Sequence, residues 1–246
     1  EEYAPGGAAN VAANVKALGG QAVLVGIAGN DEAKQILEKC LEKMGIKSVL
    51  LEDGRPTIMK VRVLAQNQQL LRIDYENKKY IQEHYEDKVF SELSKQHGIA
   101  AVIVSDYCKG MITKKLMKKL TEYSAANKIP VIVDPKPKHL DYYDNVCLIT
   151  PNHEEAYGMT GLEGRSDQAI ENVIWQIAKK VHLSILVTRG KDGMSLYDKN
   201  DKAIKHIPTK AKEVFDVSGA GDTVIAALAL SKTAGGSLLD CAKIAN

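Results

Sequence analysis

Four short aliphatic runs constrain this chain more than any other feature: VIVSD (102–106), VIVDP (131–135), CLITPN (147–152) and ILVTRG (185–190). Each has the length of a strand and is apolar up to its polar end. A strand without polar–apolar alternation is buried on both faces. The segments between them, 113–127 and 166–181, have helical spacing. Strands of this kind alternating with helices predict a mostly parallel sheet in a three-layer α/β/α arrangement. Each run also ends in a polar cluster: Ser105-Asp106, Asp134-Pro135-Lys136, Pro151-Asn152 and Arg189-Gly190. In open α/β sheets ligands bind beyond the carboxyl ends of the strands, so these clusters mark the expected ligand side.

The flanking segments extend the rhythm. Residues 8–18 read as a helix, 22–27 as a strand, 32–44 as a helix capped by Asp31, and 48–51 as a strand. The stretch TIMKVRVLAQNQQLLRIDYE (57–76) breaks the pattern. It alternates apolar and polar residues, which predicts a half-exposed strand pair turning near Asn67 and projecting as a small sheet, a lid over about 57–75. A charged helix follows at 82–96. GMSLYD (193–198) and AIKHIP (203–208) read as a late hairpin, Asp222 opens a helix, and Ser237 begins the last one.

With 246 residues the chain fits one domain, 1–246. A net charge of +2 gives no field for nucleic acid. No apolar run approaches the roughly 20 residues that span a bilayer. The four cysteines are far apart, without a CxxC pair, which disfavours a zinc site or a disulfide framework and points to a reducing cytoplasm.

FDVSGAGDT (215–223) sets two glycines directly against a carboxylate. At a helix entry, the first-turn N–H groups and the helix dipole form an anion site suited to phosphate. An aspartate there repels phosphate unless it has another task. In phosphoryl transfer to a hydroxyl it has one, accepting the proton of the attacking OH. Alone, the stretch is better read as a tight turn followed by a helix-capping aspartate. It lacks the third glycine of a dinucleotide fingerprint, and the chain has no P-loop lysine motif.

Taken together, FDVSGAGDT, PGGAANVAANVKALG (5–19), TPNHEEA (150–156) and LVTRGKDGMSLY (186–197) resemble the motifs of the ribokinase-like (PfkB) carbohydrate kinases, in family order and across nearly the whole chain. The resemblance implies a ribokinase-like fold and an ATP- and Mg²⁺-dependent sugar kinase. It implies Asp222 as the base, with Gly219, Ala220 and Gly221 offering N–H groups to the transferring phosphoryl group. Gly6, Gly7 and Asn10 match the sugar-contacting motif. Asn152 and Glu155 match the motif that organises Mg²⁺, mostly through water; an N-cap with a capping-box glutamate is the plainer reading of the same spacing. Thr188, Gly190 and Gly193 match the nucleotide side, with Asp216 near the ribose or phosphates and Asn246 in the helix that lines the adenine.

A narrower similarity lies in RPTIMKVRVLAQNQQLLRIDYE (55–76), VIVSDYCKG (102–110) and VIVDPK (131–136). These look like the family members that phosphorylate the anomeric hydroxyl of D-glycero-β-D-manno-heptose 7-phosphate, on the route to ADP-heptose and the lipopolysaccharide core. Lys60, Arg62 and Arg72 then become contacts for the sugar's phosphate, although charge on an edge strand also protects against aggregation. Lys109 and Lys136 are further cationic candidates, and Gln68 and Gln69 candidates for hydroxyls. Many such kinases are joined to an adenylyltransferase half. That half and the family's outermost N- and C-terminal segments are not in this sequence, so kinase activity alone is expected. The lid implies a homodimer. A kinase for ribose or a fructose phosphate, and a non-catalytic sugar-phosphate-binding subunit, are the competing readings.

Overall fold

The computed structural model describes residues 2–65, 68–209 and 219–246. Its centre is a six-stranded sheet built from β5 (Val102–Ser105), β6 (Val131–Asp134), β7 (Leu148–Ile149), β8 (Ser184–Thr188), β9 (Met194–Asp198) and β10 (Ala203–Ile207), in the order β10-β9-β8-β7-β6-β5. Strands β5 to β8 run parallel, and β9 and β10 add antiparallel at one edge as the expected hairpin.

The aliphatic runs are buried on both faces because successive residues enter different cores. Val104, Val133, Ile149 and Val187 pack against Met117 and Leu120 of α4 (Lys114–Ala126) and Ile170, Val173, Ile174 and Ile177 of α6 (Asp167–Lys180). Ile132, Leu148 and Leu186 point the other way. They meet Ile225, Leu228 and Ala229 of α7 (Ala220–Thr233), Leu238 and Cys241 of α8 (Leu238–Ala245), and Val11 of α1 (Ala8–Ala17). The three layers follow directly from strands that have no polar face.

Strands β1 (Val23–Ala28) and β2 (Lys47–Glu52), with α2 (Glu32–Lys43) between them, form a separate parallel pair among the described residues. Asp31 caps α2 as expected, its Oδ1 accepting from the Lys34 amide at 3.0 Å. Strands β3 (Met59–Ala65) and β4 (Gln68–Tyr75) pair antiparallel into the projecting sheet, with a register shift between Val63 and Leu64. Helix α3 (Glu83–Ser94) follows.

Two expectations are corrected. The projecting sheet is not half buried: every residue of β4 is exposed, including Leu70, Leu71, Ile73 and Tyr75. The alternation did mark a strand pair, but no layer among the described residues covers its apolar face. Helix α7 begins at Ala220, two residues before Asp222, with Gly219 as N-cap. Asp222 therefore stands in the first turn and is not the cap. No helix among the described residues is long and apolar enough to cross a membrane.

Candidate active site

Gly219 has φ +80°, the left-handed region that a residue with a Cβ enters only at a cost, and a Cβ there would lie 3.2 Å from Asn10 Nδ2. This conformation turns the chain into α7 and leaves the first-turn N–H groups of Ala220 and Gly221 without intrahelical acceptors. Asp222, one residue further, is held by two donors from distant parts of the sequence. Asn10 Nδ2 donates to Oδ2 at 2.6 Å, and the Tyr107 hydroxyl donates to Oδ1 at 3.2 Å. Asn10 reaches it because α1 packs on α7. Gly7, the N-cap of α1 at φ +54°, lies so close to Tyr107 that a Cβ would sit 3.4 Å from the ring. The N-terminal glycine motif, the end of β5 and the start of α7 thus converge on one carboxylate.

Beside it lies a second acidic centre. Asn152 caps α5 (His153–Thr160): its Oδ1 accepts from the Glu155 amide at 2.9 Å, while Glu155 Oε2 accepts from the Asn152 amide at 2.9 Å. Glu155 Oε1 also pairs with Lys136 Nζ. Lys136 in turn lies 5.6 Å from the centre of the Tyr107 ring. Burial opposes the charge on Lys136, but Glu155, Asp134 and Asp106 hold its ammonium above the usual lysine range. The plain capping-box reading of Asn152 and Glu155 is therefore correct as geometry. Both of Glu155's oxygens are occupied, so direct ligation of an ion would require breaking these contacts, whereas contact through water fits.

Asp134, at the end of β6, lies in one of the strand-end clusters but in none of the motifs that assign site residues. Burial pushes its carboxyl up to about 7; Glu155, Asp222 and Asp106 add to the rise, and Lys136 opposes it. It makes no side-chain hydrogen bond with the described residues, so its carboxylate remains available to a cation. Tyr107 likewise carries no motif signal of its own. Burial first, then the charges of Asp222 and Asp134, raise its hydroxyl far above the ordinary tyrosine value, so it stays a neutral donor. The signal for both was their position: each sits just past an aliphatic run.

Thr188 lies next to this centre, bridged to Asn152 across the sheet, with its amide donating to the Pro151 carbonyl at 3.0 Å. Gly190 (φ +59°) and Gly193 (φ +80°) form the turn from β8 to β9, and a Cβ at Gly193 would fall 2.1 Å from the Ile207 carbonyl. A cavity of about 200 Å³ lined by His153, Tyr157, Arg189 and Gly190 adjoins that turn. A larger cleft, about 750 Å³, opens near Lys128, Cys147 and Lys232 at the amino-terminal end of the strands and contains none of the candidate residues.

Other candidates are placed elsewhere. Gly6 is exposed beside Gly7. Lys60, Arg62, Gln68, Gln69 and Arg72 are exposed on the projecting sheet and touch none of the Asp222 group. Lys60 stands opposite Asp74, and Arg62 opposite Arg72, whose Nε donates to Asp74 Oδ1 at 2.9 Å. Like charges directly opposite destabilise a strand pair, which makes the Arg62–Arg72 step receptive to an anion. Lys109 does not present a free ammonium: it pairs with Glu76 at the root of the sheet, and Lys109 and Lys78 hold the Glu76 carboxyl down to about 2. Asn246 Nδ2 donates to the Pro208 carbonyl at 2.8 Å. Asp216 lies outside the described residues, as does the FDVS part of its motif.

Comparison with known proteins places the fold and the family. The chain is 42 % identical over 250 residues to the bifunctional protein HldE of Coxiella burnetii, covering 100 % of this chain and 51 % of that protein. It is 41 % identical over 248 residues to the HldE of Shewanella sediminis, with the same coverage of both. The chain thus spans about half the length of the curated relatives it matches. Among solved structures, Escherichia coli phosphofructokinase-2 in its tetrameric inhibited form superposes with a TM-score of 0.79 at 19 % identity, covering 96 % of this chain and 78 % of that one. Arabidopsis thaliana ribokinase complexed with ribose and ATP gives 0.73 at 20 %, with 96 % and 77 % covered. At these identities the likeness concerns the fold, which is ribokinase-like. The sequence matches the pfkB family carbohydrate kinases over residues 1–246, and the chain belongs to that family.

Proposed function

We propose that the chain is the kinase unit of an enzyme that transfers the γ-phosphoryl group of ATP to the anomeric hydroxyl of D-glycero-β-D-manno-heptose 7-phosphate. The observation that carries the chemistry is the placement of Asp222. A carboxylate fixed by Asn10 and Tyr107 stands at the mouth of a helix whose N–H groups face the same space. Asp222 takes the proton of the attacking hydroxyl, and the N–H groups of Gly219, Ala220 and Gly221 stabilise charge on the transferring group. Asn10 and the Gly6-Gly7 turn contact the sugar, and Thr188, Gly190 and Gly193 border the nucleotide, with Asp216 and Asn246 assigned to its ribose and adenine sides.

Mg²⁺ suits the second acidic centre, because it keeps several waters and takes few carboxylates. Asp134 would hold it most directly, with Glu155 and Asn152 acting through water. When bound, it neutralises charge on the ATP phosphates. The choice of acceptor rests on the similarity of residues 55–76, 102–110 and 131–136 to heptose 7-phosphate kinases. It is supported by the relatedness to HldE proteins and by the exposed Lys60, Arg62 and Arg72 of the projecting sheet, which share their face with Asp74. The uncovered apolar face of the projecting sheet fits pairing with a second copy, so we assign a homodimer through the lid, working in the cytoplasm where ATP and sugar phosphates are found.

The test is ADP release by the full-length protein with heptose 7-phosphate, fructose 6-phosphate and ribose in parallel. Preference for the heptose phosphate is expected. Equal or faster turnover of either alternative defeats the acceptor assignment, and binding without ADP release favours a non-catalytic subunit.

A further inference from the structure

The residues after β5 form a turn anchored from two directions. Asp106 is 1 % exposed and His139 is fully buried. Asp106 Oδ1 accepts from the Cys108 amide at 2.7 Å, and this bond holds Cys108 at φ +52°, a sparsely populated conformation for a residue other than glycine. Asp106 Oδ2 accepts from the Tyr143 hydroxyl at 2.7 Å and from His139 Nδ1 at 2.6 Å. With Nδ1 donating, Nε2 is the acceptor for the Tyr80 hydroxyl at 2.7 Å, so one neutral tautomer satisfies the whole chain of bonds.

Tyr80 lies five residues beyond the end of β4, at the root of the projecting sheet. The same root is stitched to the turn through its backbone. The Ile81 amide donates to the Gly110 carbonyl at 2.9 Å, and the Arg55 guanidinium donates to the carbonyls of both Lys109 and Lys79 at 3.0 Å. Between Asp106 and Cys108 stands Tyr107, the residue that donates to Asp222.

We propose that Tyr107 is a positioning residue for Asp222, and that the buried chain Asp106–His139–Tyr80 sets its place from the root of the projecting sheet. The inference rests on the kinase reading of Asp222. It assigns a task to a buried aspartate–histidine pair that the chemistry of transfer does not otherwise use. Asp106, Cys108 and His139 are also of the types that bind metal ions, and their ligand atoms converge. Both histidine nitrogens and both carboxylate oxygens are already engaged in the hydrogen bonds above, which favours the positioning role. The tie to Tyr80 means that a shift of the lid's root is transmitted to the carboxylate.

The experiment compares Tyr107→Phe, Tyr80→Phe and the double variant in the full-length protein, after turnover of the unaltered protein has been established on the sugar panel. Loss of one hydrogen bond to a charged group predicts a fall in kcat of about tenfold or more for Tyr107→Phe, with the KM values for ATP and sugar changed less than about twofold. Tyr80→Phe should lower kcat by a smaller factor, and it should have no further effect in the Tyr107→Phe background, because it acts through Tyr107. An unchanged kcat in Tyr107→Phe, or independent multiplying losses in the double variant, overturns the proposal. Absence of turnover in the unaltered protein would instead defeat the kinase reading. The positioning claim is then decided by a crystal structure of Tyr107→Phe: a displaced Asp222 carboxylate supports it, and an unmoved one overturns it.

Discussion

Replacing Asp134 by asparagine should stabilise the metal-free protein, increasingly so as pH rises. Burial, together with the negative charges of Glu155, Asp222 and Asp106, raises the Asp134 carboxyl to about 7. In the unfolded chain it titrates near 4. Between these two values the native state keeps a proton that the unfolded state has lost, so the stability of the unaltered protein falls as pH climbs from about 4 to about 7 and levels off above. The full difference corresponds to about 4 kcal/mol, and solvent screening at a site that is not fully enclosed reduces the expected figure to about 2–3 kcal/mol. Asparagine resembles the protonated carboxyl and has no such dependence. Urea unfolding in EDTA, followed by circular dichroism, measures both proteins from pH 5 to pH 8. The asparagine variant should gain by about 2 kcal/mol relative to the unaltered protein across that range. Parallel curves would show that Asp134 ionises as freely in the folded state as in the unfolded one, and the reasoning about its surroundings would fail.

Three further outcomes are expected. Asp222→Asn should keep affinity for both substrates and lose about 10²–10⁴ in kcat; retained turnover would remove Asp222 as the base. Arg62→Ala and Arg72→Ala should each raise KM for a phosphorylated sugar by about tenfold to a hundredfold, the worth of a charge-assisted hydrogen bond, with little effect on an unphosphorylated one; equal effects on both would rule out phosphate contact. Gly110→Ala should cost about 3 kcal/mol or more in urea unfolding, because φ is +84° and the added Cβ would lie 1.9 Å from the Lys79 carbonyl; a cost under about 1 kcal/mol would mean that the clamp between residues 79–81 and the turn after β5 yields easily.

The uninterrupted aliphatic runs made the three-layer fold legible, because a residue pattern without a polar face admits few other arrangements. The helix caps were equally readable: Asp31, Ser166 and Ser237 each accept a first-turn amide, a local interaction encoded within four residues. The geometry at α7 was readable for the same reason, since glycines and a carboxylate at a helix entry are a local juxtaposition. The sheet projecting at 59–75 was recognisable as a strand pair, but its burial was not. Alternation specifies which face is apolar and says nothing of whether another layer covers it.

Long-range electrostatics could not be read at all. Asp134 and Tyr107 look like ordinary strand-end residues until Glu155 and Asp222, 21 and 115 positions away in the chain, are folded against them. Lys109 looks like a free cation until Glu76 meets it. His139 lies between Asp106 and Tyr80, 33 and 59 positions away in the chain. The sequence by itself determined the strands, most helix caps and the placing of a carboxylate at the entry of α7, all of which depend on neighbours within a turn or on side-chain period. Only the tertiary structure decided which donors hold Asp222, which carboxyl is pushed up by its surroundings and which cations are already paired, because those depend on distances through space that the order of residues does not contain.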